Sequence, residues 1–212
     1  MRQFILFGYT MCILVIAGCA GSSEQFRLCA ESGEIVQIRL NDVMYSNMED
    51  AGKNLSVSVA AFEDNRPPSK HLGSHKCQLA GDAYFKLKDR NLGQGVSDAF
   101  VSFLKKSAFQ VTPPSDEAVD IGITGKITRF TAKATRHFFS TNAQVDMVMD
   151  FTIENKADNS TVHIIIRAGG TNDVVFFNPE DMERFVNEIL QISFERFLER
   201  TEVKGKTLRQ KI

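Results

Sequence analysis

Val145-Asp146-Met147-Val148-Met149-Asp150-Phe151-Thr152-Ile153-Glu154 is the stretch that decides the fold. Val145, Met147, Met149, Phe151 and Ile153 share one parity, and the intervening positions are mostly polar. Strand side chains alternate between faces, so this is a strand with one buried face and one wet face. Lys156 to Asn159 supplies a turn, and Val162, Ile164, Ile166 and Ala168 predict the next strand. On the other side, Ser140-Thr141-Asn142 predicts a hairpin turn. Ile121, Ile123 and Ile127 precede it and predict a strand that continues past Phe130. Two tight hairpins in succession predict an antiparallel meander.

Helical spacing flanks this meander. Leu92, Val96, Ala99, Phe100, Phe103 and Leu104 form an apolar stripe that predicts a helix from near Gln94 to Ala108. Met182, Phe185, Val186, Ile189, Leu190, Phe194, Phe197 and Leu198 form a wider one, with Asn178 placed to cap it, Pro179 at its first position and Asp181 three after the cap. Two amphipathic helices and a sheet with one apolar face predict an α+β fold: a two-layer sandwich of an antiparallel meander sheet with both helices packed on one face. Before the first helix, Leu55, Val57 and Val59 alternate with serines and predict a strand that Pro67-Pro68 stops. Val36, Ile38 and Leu40 suggest a short additional strand. The chain from Pro67 to about Asn91 reads as irregular, and after Arg200 as a basic tail that frays.

The beginning of the chain speaks for its compartment. Arg2 precedes an apolar run from Phe4 to Ala17 that is too short and too interrupted to span a ~30 Å hydrocarbon core as a lasting helix. It reads as a secretory signal. Ile16-Ala17-Gly18-Cys19 resembles the lipobox of bacterial lipoproteins. The resemblance implies cleavage after residue 18 and acyl chains on Cys19; Ala20 in place of Asp implies the outer membrane. Each buried CH₂ contributes about 0.8 kcal/mol, so two or three chains hold firmly where one holds marginally. The expected organisation is a signal at 1–18, a lipidated tether and extension at 19–54, a periplasmic domain at 55–200 and a basic tail at 201–212. Cys29 and Cys77 remain as one pair in an oxidising compartment. A bridge between them would be worth roughly 4 kcal/mol in the chain-entropy model, with two free thiols as the alternative.

Chemistry-bearing patterns are sparse. The 212 residues carry 25 Lys and Arg against 26 Asp and Glu, no Trp and 17 Phe, a balance that offers no footprint for nucleic acid. His71, His75 and Cys77 have nearly the spacing of metal ligands on a helix, but Gly73 and Ser74 interrupt it and no metal site is expected. Asp146, Asp150 and Glu154 share a strand face at a spacing too long for a paired general acid and base. No nucleophile triad or phosphate loop is visible, so no catalytic residue and no cofactor is expected, and the protein reads as a binder and not an enzyme. Phe138-Phe139, beside Arg136 and His137, is the candidate contact. Adjacent strand residues face opposite ways, so one ring should leave the core for a membrane interface or a partner groove, unless the tip folds back over both. Lys204, Lys206, Arg209 and Lys211 read as a solvated basic tail, with contact to anionic lipid or glycan as the alternative.

The lipobox, the strand Leu55 to Phe62 running into Asp64-Asn65-Arg66, and Gly73 shortly after resemble the YajG-like group of bacterial lipoproteins, over about Leu55 to Arg200. The resemblance implies compartment and an α+β fold without implying a reaction. The segment between Cys19 and Leu55, with Cys29, departs from that group. Asp64 and Arg66 are expected to organise the loop after the strand, with an anion-binding Arg66 as the alternative. The expected partners are the membrane, through the lipid, and an envelope protein of an assembly or transport complex, or else a lipid or glycan amphiphile. Oligomeric state is not legible.

Overall fold

The structure is a computed structural model that describes residues 33–40, 51–52, 55–69, 71–77, 81–88, 91–114 and 119–211. Cys19 and Cys29 lie outside the described residues, as does the side chain of Cys77, and with them the lipidation site and the bridge.

Three long strands dominate: β7 (Ile121–Arg136), β8 (Thr141–Asn155) and β9 (Ser160–Val174), paired antiparallel in the expected meander. The sheet as a whole is mixed, which corrects the all-antiparallel expectation. β2 (Ser56–Val59), β3 (Glu63–Asp64) and β4 (Gly73–Cys77) lie end to end along the free edge of β7, all parallel to it. β6 (Gln110–Thr112) extends the sheet beyond β2, while β5 (Gly81–Leu87) and β1 (Ile35–Ile38) extend it beyond β4. The segment before the first helix is therefore not irregular throughout, since β4 and β5 form an antiparallel hairpin within it. β1 is the short strand that Val36 and Ile38 suggest, and it joins the sheet at its outer edge beside β5.

Both helices cover one face of the sheet, as the stripes predict. α1 (Leu92–Lys106) starts two residues earlier than expected because the Asn91 side chain accepts from the Gln94 N–H. α2 (Pro179–Glu199) opens with a reciprocal capping box between Asn178 and Asp181. Phe100 of α1 and Phe194 and Phe197 of α2 meet Phe151 of β8, directly or through one another, with ring centroids 4.7–5.2 Å apart along these contacts. The alternate residues of β8 from Ala143 to Ile153 are buried beneath them.

The chain after Arg200 does not fray. β10 (Thr201–Lys204) and β11 (Thr207–Gln210) form a hairpin that turns at Gly205, where φ is +61°. Leu208 is buried, and its N–H and C=O are held by the Asn155 side chain. Lys206 reaches Asp120 and Arg209 reaches Asp158, so the basic residues pin the hairpin to the sheet.

Candidate functional site

Strand register brings four large apolar residues to one end of the sheet. β7 ends at Arg136 and β8 begins at Thr141, and residues 137–140 make the turn, closed by a bond from the His137 N–H to the Ser140 carbonyl. Phe138 and Phe139 stand on this turn 86% and 81% exposed, their rings edge to face at 4.7 Å. The tip does not fold back. Val174 of β9 lies opposite Thr141, so Val175 and Phe176 emerge beside it, 69% and 75% exposed. Phe177 turns inward instead and packs on His75. The sequence reading singled out Phe138-Phe139 and missed Val175-Phe176, which only the pairing of β9 brings close.

Asp64 and Arg66 have a legible structural role. β7 bulges between Ile127 and Arg129, and the inward positions switch parity there from Ile127 to Phe130. β3 ends just before this bulge and β4 begins beyond it, which leaves a gap along the edge of β7. The Asn65 N–H donates to the Ile127 carbonyl and Arg66 Nη1 donates to the Phe130 carbonyl, so the Asp-Asn-Arg stretch bridges that gap. Asp64 holds the guanidinium through Nε and Nη2 at 2.8 and 2.9 Å. The same contacts hold the Asp64 carboxyl below the usual carboxylate range, with hydrogen bonding the largest cause. An Arg engaged on three sides and 11% exposed is poorly placed to bind an anion. Arg66→Ala should cost about 1–2 kcal/mol, measured by denaturant unfolding. A variant as stable as the wild type would remove the bridging role.

The remaining candidates separate. His75 is buried in β4, and His71 stacks on Tyr84 at 4.7 Å. Among the described residues no three or more His, Cys, Asp or Glu side chains come together as metal ligands. Burial, aided by the charge of Arg136 and opposed by Asp82, pushes the His75 imidazole below its usual value of 6.5. The unfolded chain then binds a proton that the folded one refuses, so the contribution is full above that value and is lost as the pH falls below it. The melting temperature should drop between about pH 7 and pH 5, and His75→Phe should flatten that slope. An equal slope in the variant would assign it to other groups. On the polar face, Asp146 accepts from Gln144 and Glu154 pairs with Lys156. Beside Asp146, Arg129, Arg167 and Arg196 line a shallow concavity of about 330 Å³. No helix among the described residues is long and apolar enough to cross a membrane.

No protein-family model and no curated protein matches the chain. Solved structures do match it. Protein XCC0632 from Xanthomonas campestris, of family DUF330, aligns with 8% identity over 78% of this chain and 93% of that one, at a TM-score of 0.50. The hypothetical protein CT253 from Chlamydia trachomatis aligns with 9% identity over 68% and 94%, at 0.42. Lipoprotein GNA1162 from Neisseria meningitidis aligns with 9% identity over 65% and 96%, at 0.37. At such identities the likeness to XCC0632 is one of fold.

Proposed function

We propose that the chain is a YajG-like lipoprotein, anchored to the outer membrane through acylated Cys19, that acts by binding as an accessory subunit of an envelope assembly or transport complex. The anchor rests on Ile16-Ala17-Gly18-Cys19. The observation that carries the binding role is the outer edge of β9. Among the described residues this fifteen-residue strand pairs on one side only. A long open edge is a template for another strand. Arg200 and Arg196 occupy the Ile165 and Arg167 carbonyls, and the exposed stretch Thr171–Asp173 lies beyond that guard.

A photo-crosslinking residue at Thr171 of the full-length protein in cells tests the reading, and a discrete adduct with one envelope protein is expected. The arginine-lined concavity favours a second reading, an anionic lipid or glycan amphiphile. Co-purified lipid that disappears on Arg167→Glu, with no protein adduct at Thr171, would replace the first reading by the second.

A further inference from the structure

We infer that the aromatic end of the sheet lies in the headgroup region of the membrane that anchors the protein, so that Phe138, Phe139, Val175 and Phe176 fix its orientation on the bilayer. The inference rests on the lipid anchor proposed above and adds a surface to it.

The first observation is where the large apolar side chains lie. Among the described residues eight such side chains are exposed, and the four most exposed gather at one end: Phe138, Phe139, Val175 and Phe176. The opposite end carries the turn Lys156–Asn159 and the β10–β11 hairpin, with Asp158, Lys206 and Arg209 in ion pairs. One end is aromatic and the other is charged.

The second observation is independent and comes from topology. β4 runs parallel to β7, with Lys76 beside Thr135, so both strands finish at the aromatic end. β5 is antiparallel to β4 and starts there at Gly81. β1 is parallel to β5, and the Gly33 N–H donates to the Asp82 carbonyl. The chain therefore enters the described fold at the aromatic end. β5 and β4 separate β1 from β7, a distance of about 15 Å at the usual strand spacing. Cys19 precedes Gly33 by fourteen residues, a reach of at most about 50 Å when fully extended. The described chain thus begins, at Gly33, at the same end of the sheet as the rings and within that reach of Cys19.

The bilayer is favoured over a protein groove because of this coincidence and because of the side chains involved. Phe rings and a β-branched neighbour on a turn, with cationic Arg136 close by, suit the interfacial zone, where aromatic side chains bury apolar area without crossing the hydrocarbon. The charges nearby, Lys76 and Arg136 against Glu34, Asp82 and Asp173, are of both signs. Attachment should therefore depend on the rings and change little with salt.

The absence of Trp makes the test direct, because each introduced Trp is a unique reporter. Phe139→Trp, Phe176→Trp and Val203→Trp are made separately in the full-length chain. The lipidated proteins are reconstituted into phosphatidylethanolamine–phosphatidylglycerol vesicles with brominated acyl chains. Trp at positions 139 and 176 should lose about half its emission or more relative to unbrominated vesicles, at low and at high salt, while Trp at 203, on the charged end, should be unaffected. Unaltered melting temperatures verify that the variants fold. If Cys19 is acylated by mass spectrometry and positions 139 and 176 are quenched no more than 203, the orientation is wrong and the anchor stands. A chain without acyl groups on Cys19 overturns the anchor itself, and the inference with it. A protein adduct from a crosslinker at Phe139 in cells, in place of a lipid adduct, assigns this end to a partner and likewise overturns the inference.

Discussion

Gly73→Ala should lower the melting temperature by about 10 °C and release β4 and its outer neighbours before the rest of the sheet unfolds. Gly73 sits between two partners, Phe85 of β5 and Ala132 of β7. A Cβ added there would lie 1.7 Å from the Ala132 carbonyl oxygen and 2.7 Å from its carbon. Both are backbone atoms of the central strand, which is paired along its other edge to β8 and cannot yield without breaking that ladder. The variant must therefore push β4 away from β7. β5 and β1 reach the sheet through β4, so the displacement loosens all three strands. Overpacking a side chain costs about 1–3 kcal/mol, and moving a paired backbone belongs at or above the top of that range. About 3 kcal/mol corresponds to the stated fall for a domain of this size. Gly122 provides the control, because a Cβ there meets nothing nearer than 3.9 Å and Gly122→Ala should be neutral. Hydrogen exchange should show β1, β4 and β5 opening first in Gly73→Ala. If both variants melt with the wild type, the close approach of β4 to β7 is not as described.

This glycine illustrates what the sequence could and could not reveal. Gly73 is conspicuous beside Asp64-Asn65-Arg66, but its reason is a neighbour about sixty residues away. Period-two alternation made the meander legible because each face of β8 meets a different solvent, and capping residues located α2. Parallel pairing leaves no such mark: β2, β3 and β4 carry no sign in their own residues that all three will line β7. β5 was within reach, since Ala83, Phe85 and Leu87 alternate with Asp82, Tyr84 and Lys86, and all three are buried. β4 was not, because His75 is its inward residue where an aliphatic side chain would have announced a strand. The parity change from Ile127 to Phe130 was visible as a broken alternation, and it marks the bulge that Arg66 spans. The terminal hairpin was obscured by its charge, although Leu208 was its one strong apolar anchor. At the aromatic end, exposure of the Phe138-Phe139 pair followed from its place at a turn. Its joining with Val175-Phe176 depended on the register of β8 and β9, and the proximity of the chain entry depended on the order of β1, β5, β4 and β7.

Phe100→Ala should cost about 3–5 kcal/mol, because one fully buried ring stands where both helices meet the sheet. Phe100 is fully buried, and five rings surround it: Phe62 at 5.8 Å, Phe103 at 6.4 Å, Phe151 at 5.2 Å, Phe194 at 5.0 Å and Phe197 at 5.2 Å. These come from the segment entering β3, from α1 itself, from β8 and from α2. Removing the ring leaves a void against aromatic walls that do not collapse easily, so the cavity contribution adds to the lost burial. The edge-to-face contact with Phe197 and the tilted contacts with Phe151 and Phe194 are lost as well, each worth about 0.5–1.5 kcal/mol beyond area in favourable geometry. The denaturant midpoint should fall with the slope unchanged, because the same surface is still exposed on unfolding. Phe100→Leu should recover a substantial part of the loss, since it refills volume without the ring geometry. A cost below about 1 kcal/mol for Phe100→Ala would mean that the helices dock on the sheet independently of this cluster. A changed slope would mean that α1 detaches before the sheet unfolds, and the two layers would then be separate cooperative units.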